Sequence, residues 1–144
     1  MKNFFNLWQF WAFLSALFAA FTAIFAKIGI AGINSDFATF IRTIVIFVVL
    51  TMILFFTNQF QPLHTLSQKS IFFLILSGIA TGASWIAYFR ALKLGNASQV
   101  APIDKLSVVF VALFGLIFLG EQITFAQWVG IGLIAAGAIV IAVQ

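Results

Sequence analysis

Apolar residues in this chain come in long runs separated by short polar intervals, not at the 3.6- or 2-residue spacing of half-buried elements. Five runs, 5–27, 37–57, 70–92, 97–119 and 125–143, can each cross a hydrocarbon core of about 30 Å at roughly 1.5 Å per helical residue. The intervals carry turn and cap chemistry. Gly29 to Ser35 is a short turn, and Asp36 falls in the first turn of the second run, where a carboxylate suits the helix dipole. Asn58 to Gln68, holding Pro62 and His64, is the longest polar interval and reads as a loop. Gly95 is placed to cap the third run, and Asn96 with Gln99 to start the fourth. After a tight turn at Gly120 and Glu121, Thr124 and Gln127 form a capping-box pattern, flanked by Ile123 and Trp128 in hydrophobic-staple positions. The pattern predicts an all-α integral membrane protein of five transmembrane helices.

Composition agrees. Of 144 residues, 64% are hydrophobic and 7% charged, whereas soluble domains are about a quarter charged. Trp8 and Trp11 lie where an interfacial aromatic belt would sit. Lys2 ahead of an Ala-rich apolar run is also a signal-peptide pattern, but the run exceeds an h-region and no polar domain follows it, so it reads as a span closed by a snorkelling Lys27. Cysteine is absent, which excludes disulfides, thiolate chemistry and Fe–S sites. Seven dispersed Lys and Arg give a net charge of +4 without a basic patch, so the expected polyanionic partner is membrane lipid rather than nucleic acid. No metal-ligand spacing, nucleophile–base set or phosphate loop stands out. Neither cofactor, metal nor enzymatic activity is expected.

The embedded polar residues are the exception to this apolar text. The fourth run carries Pro102, Asp104 and Lys105. Proline removes a backbone donor and obstructs the carbonyl one turn back, so it should kink or restart the helix. Asp or Lys costs about 2.5–3.5 kcal/mol at a helix centre. Alternation of sides puts Lys27, Arg42, Arg90, Lys93 and Lys105 towards one membrane face and Lys2 and Lys69 towards the other, five against two. Setting aside the embedded Arg42 and Lys105 leaves three against two, a bias weak enough for insertion in both orientations. Arg42 and Asp104 enter from the same face to similar depth and are placed to pair if their helices are neighbours. Asp104 and Lys105 diverge by about 100° on a helix and should not face each other. A structural ion pair and a polar path for solute are both open readings of these charges. Gly78 and Gly82 in the third span, and Gly130, Gly132 and Gly137 in the fifth, are expected to let helices approach closely.

The text from Leu94 onward, LGNASQVAPIDKLSVVFVALFGLIFLGEQITFAQWVGIGLIAAGAIVI, resembles the C-terminal part of an EamA-type repeat of the drug/metabolite transporter superfamily. Ala97-Ser98, Val100, Pro102, the Leu119-Gly120-Glu121 turn, Thr124, Gln127, Gly130 and Gly137 carry the resemblance, and ATGASWIAYFRALKLG before them resembles the third helix. The resemblance covers essentially the whole chain. It implies a solute carrier, whose usual members join two five-helix repeats of inverted topology around a central cavity. This chain holds one repeat, which implies pairing of two copies, with an antiparallel homodimer as the expected form. Asp104 and Lys105 depart from the apolar or small residues common at that position in the family. Small multidrug exporters, a related group, depend on a first-helix Glu; here that helix has no carboxylate.

The expected function is therefore transport of a small metabolite or drug-like solute by alternating access in the cell (inner) membrane of a bacterium. Candidate path residues are Arg42, Trp85, Tyr88, Asp104, Lys105 and Ser107. Arg42 or Lys105 would attract an anionic or zwitterionic solute, Asp104 would balance charge or take a proton, and Trp85 and Tyr88 would stack or simply pack. A non-transporting accessory subunit is the alternative.

Overall fold

A computed structural model of the protein describes residues 7–143. Lys2 and the start of the first span at residue 5 lie outside the described residues. Among the described residues five helices are long and apolar enough to cross a membrane: Trp8–Gly29, Ser35–Phe56, Gln68–Leu94, Ala97–Leu119 and Phe125–Ala142. The first three are α1, α2 and α3. The fourth is composite, made of α4 (Ala97–Asp104), α5 (Ser107–Phe114) and a π-helical turn at Gly115–Leu119; the last is α6 (Phe125–Ala142). No strand occurs among the described residues.

The helix ends follow local chemistry. The Asn34 side chain accepts from the backbone N–H groups of Asp36 (2.8 Å) and Phe37 (3.2 Å), so α2 starts one turn after the left-handed Gly32 (φ 79°). Asn58, at φ 52°, ends α2. Ser67 caps α3 by accepting from Ser70 N–H at 3.0 Å, which draws Gln68 and Lys69 into the helix two residues ahead of the hydrophobic run. Gly95 does not take the left-handed cap conformation; instead its carbonyl accepts from Lys27 Nζ at 2.8 Å. Lys27 is half-buried, its ammonium held at the turn between the third and fourth spans. Asn96 caps α4 through its backbone carbonyl, which accepts from Gln99 and Val100, and makes no side-chain cap bond. At α6 the capping box forms in full, with Thr124 N–H donating to Gln127 Oε1 (2.7 Å) and Gln127 N–H to Thr124 Oγ1 (3.3 Å).

The break expected at Pro102 falls just beyond it. α4 ends at Asp104, and Lys105 and Leu106 bond three residues back, to Pro102 and Ile103, the tighter pattern of a 3₁₀ turn. The composite span closes on Gly120, left-handed at φ 67°, with Glu121 N–H reaching Gly115 O at 3.1 Å. A Cβ there would be strained by roughly 1–2 kcal/mol. Gly120→Ala is thus expected to lower the unfolding midpoint in detergent, and Gly120→Asn, which tolerates the left-handed region better, to lower it less.

The chain divides into two compact units. Residues 28–93 hold α2 and α3; the segment ending at Lys27 and the segment from Leu94 onward form the other. In the latter, α6 packs along both α4 and α5, bringing the buried small residues Ala112 and Ala138 into the helical framework. In the former, Ile30, Ser35, Ala38, Thr39, Phe89 and Leu92 are buried, all near the start of α2 and the end of α3. Elsewhere the spans are largely exposed. This outward apolar surface is what lipid, or another membrane chain, covers.

Candidate functional site

The unit of α2 and α3 carries a cleft of about 570 Å³ between two helical stripes. Asp36, Thr39, Phe40 and Thr43 recur at i, i+3, i+4 and i+7 and so share one face of α2. On α3 the lining runs from Leu74 to Ile86 in the same rhythm, through Ser77, Gly78, Thr81, Gly82 and Trp85. Twelve residues of helix carry it about 18 Å along α3. The volume is in the range of small-molecule sites, about 300–1,000 Å³.

Hydroxyls give the cleft its chemistry. Thr39 Oγ1 donates to Ser35 O (2.9 Å), Thr43 Oγ1 to Thr39 O (2.8 Å) and Thr81 Oγ1 to Ser77 O (2.8 Å). Each proton is engaged by its own helix, and the oxygen lone pairs remain as acceptors. Asp36 is the one charged residue in the lining. The cleft therefore offers acceptor oxygens, an indole face at Trp85 and apolar walls from Phe40, Leu74 and Ile86. That set suits a solute that brings N–H or O–H donors.

Gly78 and Gly82 belong to the cleft wall. A Cβ on either would meet nothing within 4 Å among the described residues, and the same holds at Gly130, Gly132 and Gly137.

The sequence candidates fall into both units. Arg42 and Trp85 are brought together, with the guanidinium carbon 4.6 Å from the Trp85 ring centroid and 5.2 Å from that of Phe89. Trp85 also lines the cleft, whereas Arg42 and Tyr88 do not. Tyr88 is half-buried, its ring edge-on to Phe89 at 6.4 Å. In the other unit Asp104 and Lys105 do meet, Nζ to Oδ2 at 3.3 Å, against the expectation that they diverge. The helix ends between them, Lys105 has ψ −7°, and its long stem folds back. Ser107 is exposed at the start of α5. Arg42 and Asp104 each take these partners within their own unit.

Sequence reasoning passes over the strongest polar contact of the α2–α3 unit. Arg90 Nε donates to Asp36 Oδ1 at 3.0 Å and Nη2 to Oδ2 at 2.6 Å, a two-point grip. Alternation of sides already places Asp36 and Arg90 at one membrane face with opposite charge, a signal that suffices to suggest the pair. The hydroxyl stripe is legible too, since Thr39–Thr43 and Ser77–Thr81 stand four apart.

Comparison with known proteins accords with this architecture. Residues 6–143 match the model of the EamA-like transporter family. A Sinorhizobium protein named "Uncharacterized transporter in cobO 3'region" is 60% identical over 117 residues, 81% of this chain and 83% of that protein. A Methanocaldococcus jannaschii protein, "Uncharacterized protein MJ1333.1", is 27% identical over 86 residues, 60% of this chain and 63% of its own length. No solved structure matches. Five spanning helices in the expected order and a family match across nearly the full chain establish that this integral membrane protein belongs to the EamA-like transporter family.

Proposed function

We propose that the chain carries a small metabolite or drug-like solute through the α2–α3 cleft by alternating access, with its two units acting as one transmembrane domain. The cleft supports this reading most directly: acceptor oxygens and an indole face line a void of solute size within helices otherwise suited to lipid. The lining favours an uncharged or cationic solute. This departs from the anionic or zwitterionic solute suggested by Arg42, whose guanidinium lies over the Trp85 and Phe89 rings and is not in the cleft lining. The site is a carrier's rather than an enzyme's, as the family name and the Sinorhizobium relative's name suggest.

The working assembly in this reading is two copies in opposite orientations, in the cell membrane of a bacterium. One repeat presents a cleft open on one side, and a second copy would supply the opposing wall. The extensive uncovered apolar surface and the weak charge bias support such pairing. Purified protein in liposomes is expected to move a donor-bearing uncharged or cationic solute. Failure with a broad panel of solutes, with and without a pH gradient, would leave a non-transporting membrane subunit instead. Reporters fused to the C-terminus should reveal both orientations; a single uniform orientation retires the antiparallel homodimer.

A further inference from the structure

Among the described residues the hydrogen bonds found between the α2 and α3 sides of this unit lie at one end. At the Asp36 end, Arg90 grips both carboxylate oxygens and Lys93 Nζ donates to Ile33 O at 2.8 Å. Asn34 secures the same turn by accepting from Asp36 and Phe37 N–H. The Arg90 and Lys93 hydrogen bonds join the start of α2 and the turn before it to the last two turns of α3, and Arg42 adds a ring contact to Trp85 and Phe89 two turns further along α2. At the opposite end the polar contacts stay local, from Thr57 to Ile53 and between Ser67 and Ser70. Backbones of α2 and α3 approach closely at few positions, and the buried Ala38, Phe89 and Leu92 pack at the same end as the polar fastening.

Asp36 is also part of the cleft lining, and Arg90 is not. One turn further in lies Thr39, which lines the cleft yet is only 6% exposed. The carboxylate thus stands between the aqueous end of the helices and the first hydroxyl of the path. We infer that the Asp36–Arg90 pair is a releasable latch that closes this end of the α2–α3 cleft. Its parts suit that role: a charge-assisted two-point grip is directional and specific, but at a water-exposed helix end it is weak enough to open in thermal exchange. Lys93 on the Ile33 carbonyl keeps the α1–α2 turn near α3 when the pair parts, so opening is confined to the latch. The inference rests on reading the cleft as a solute path, but its test does not require transport.

The chain has no cysteine, so one introduced thiol reports accessibility without background. Thr39→Cys is labelled with a water-soluble maleimide in open membrane fragments, where both faces are wetted and orientation is immaterial. Labelling is measured in this chain, with Arg90→Gln added, and with Asp36→Arg and Arg90→Asp added together; Gln61→Cys in the exposed loop normalises reagent access. Breaking the pair is expected to raise the Thr39→Cys rate by about two- to fivefold, the range for loss of a water-exposed ion pair. The charge-exchanged chain should return towards the original rate, with Arg90→Lys in between because it keeps the charge but loses the fork. Equal rates in all chains overturn the latch. So does a charge-exchanged chain that labels like Arg90→Gln, since the pairing itself would then not control access. A chain that fails to transport but shows the labelling pattern refutes the carrier reading alone; one that transports without the pattern refutes the latch alone.

Discussion

Leucine at Gly82 is expected to abolish solute movement while leaving the chain folded and inserted. Gly82 lines the cleft, and a Cβ there meets nothing within 4 Å among the described residues. The added side chain therefore enters empty space instead of displacing a neighbour. Replacing a mid-helix glycine also removes backbone freedom from the unfolded chain, a gain of about 0.5–1 kcal/mol with alanine as the reference. Stability should hold or rise as transport falls, separating a blocked path from a damaged fold. Uptake into liposomes and the unfolding midpoint of the same preparation are the two measurements. A third, cross-linking of assembled copies, tests Gly82 as a helix-packing surface: if leucine disperses the assembly, the glycine serves contact with another chain. Unchanged uptake would remove Gly82 from the solute path.

Arg42→Leu is expected to move insertion and transport in opposite directions. An arginine at the centre of a span costs about 2.5–3.5 kcal/mol on insertion scales. A guanidinium over an aromatic ring gives back about 0.5–2 kcal/mol. Arg42 lies roughly two turns into α2, where part of the penalty applies, and two rings share it. The remaining balance favours leucine, so the inserted fraction and detergent stability should not fall. Transport should fall, because Arg42 holds Trp85, and Trp85 lines the cleft. Arg42→Lys keeps the charge but not the flat face, and should impair transport without the gain in insertion. If leucine lowers stability and spares transport, Arg42 is a helix tie and no more.

Both predictions concern residues visible in the sequence, yet only part of their meaning is legible there. Run length and hydropathy delimit the five helices to within a few residues because a bilayer demands a minimum apolar length, a one-dimensional property. Caps are legible for the same reason: Asn34 and Thr124 act on amides two or three residues ahead. Partners are not, because they depend on how two helices face each other. Depth alone matches Arg42 with Asp104 but says nothing of the Trp85 and Phe89 rings on α3 that lie against Arg42. An ideal helical angle sets Asp104 and Lys105 apart, whereas the helix stops between them. Gly78 and Gly82 show the same ambiguity in another form. A missing side chain marks either a close approach or a void, and spacing is the same for both.

The end of the fourth span behaves as a keyed joint. In the π-helical turn at Gly115–Leu119 the chain uses one more residue per turn than an α-helix, shifting the phase of the residues beyond it. The left-handed Gly120 then folds Glu121 back over the helix, where its carboxylate oxygen lies 2.7 Å from the position a Cβ on Gly115 would take. The bare α-carbon at Gly115 is thus the slot, and the acid six residues later is the key. Changes at the two positions are not independent: a side chain at 115 evicts the carboxylate, and a shorter residue at 121 leaves the slot empty. The Gly-Glu turn is better understood as one half of a two-part fitting whose other half lies a full turn earlier in the chain.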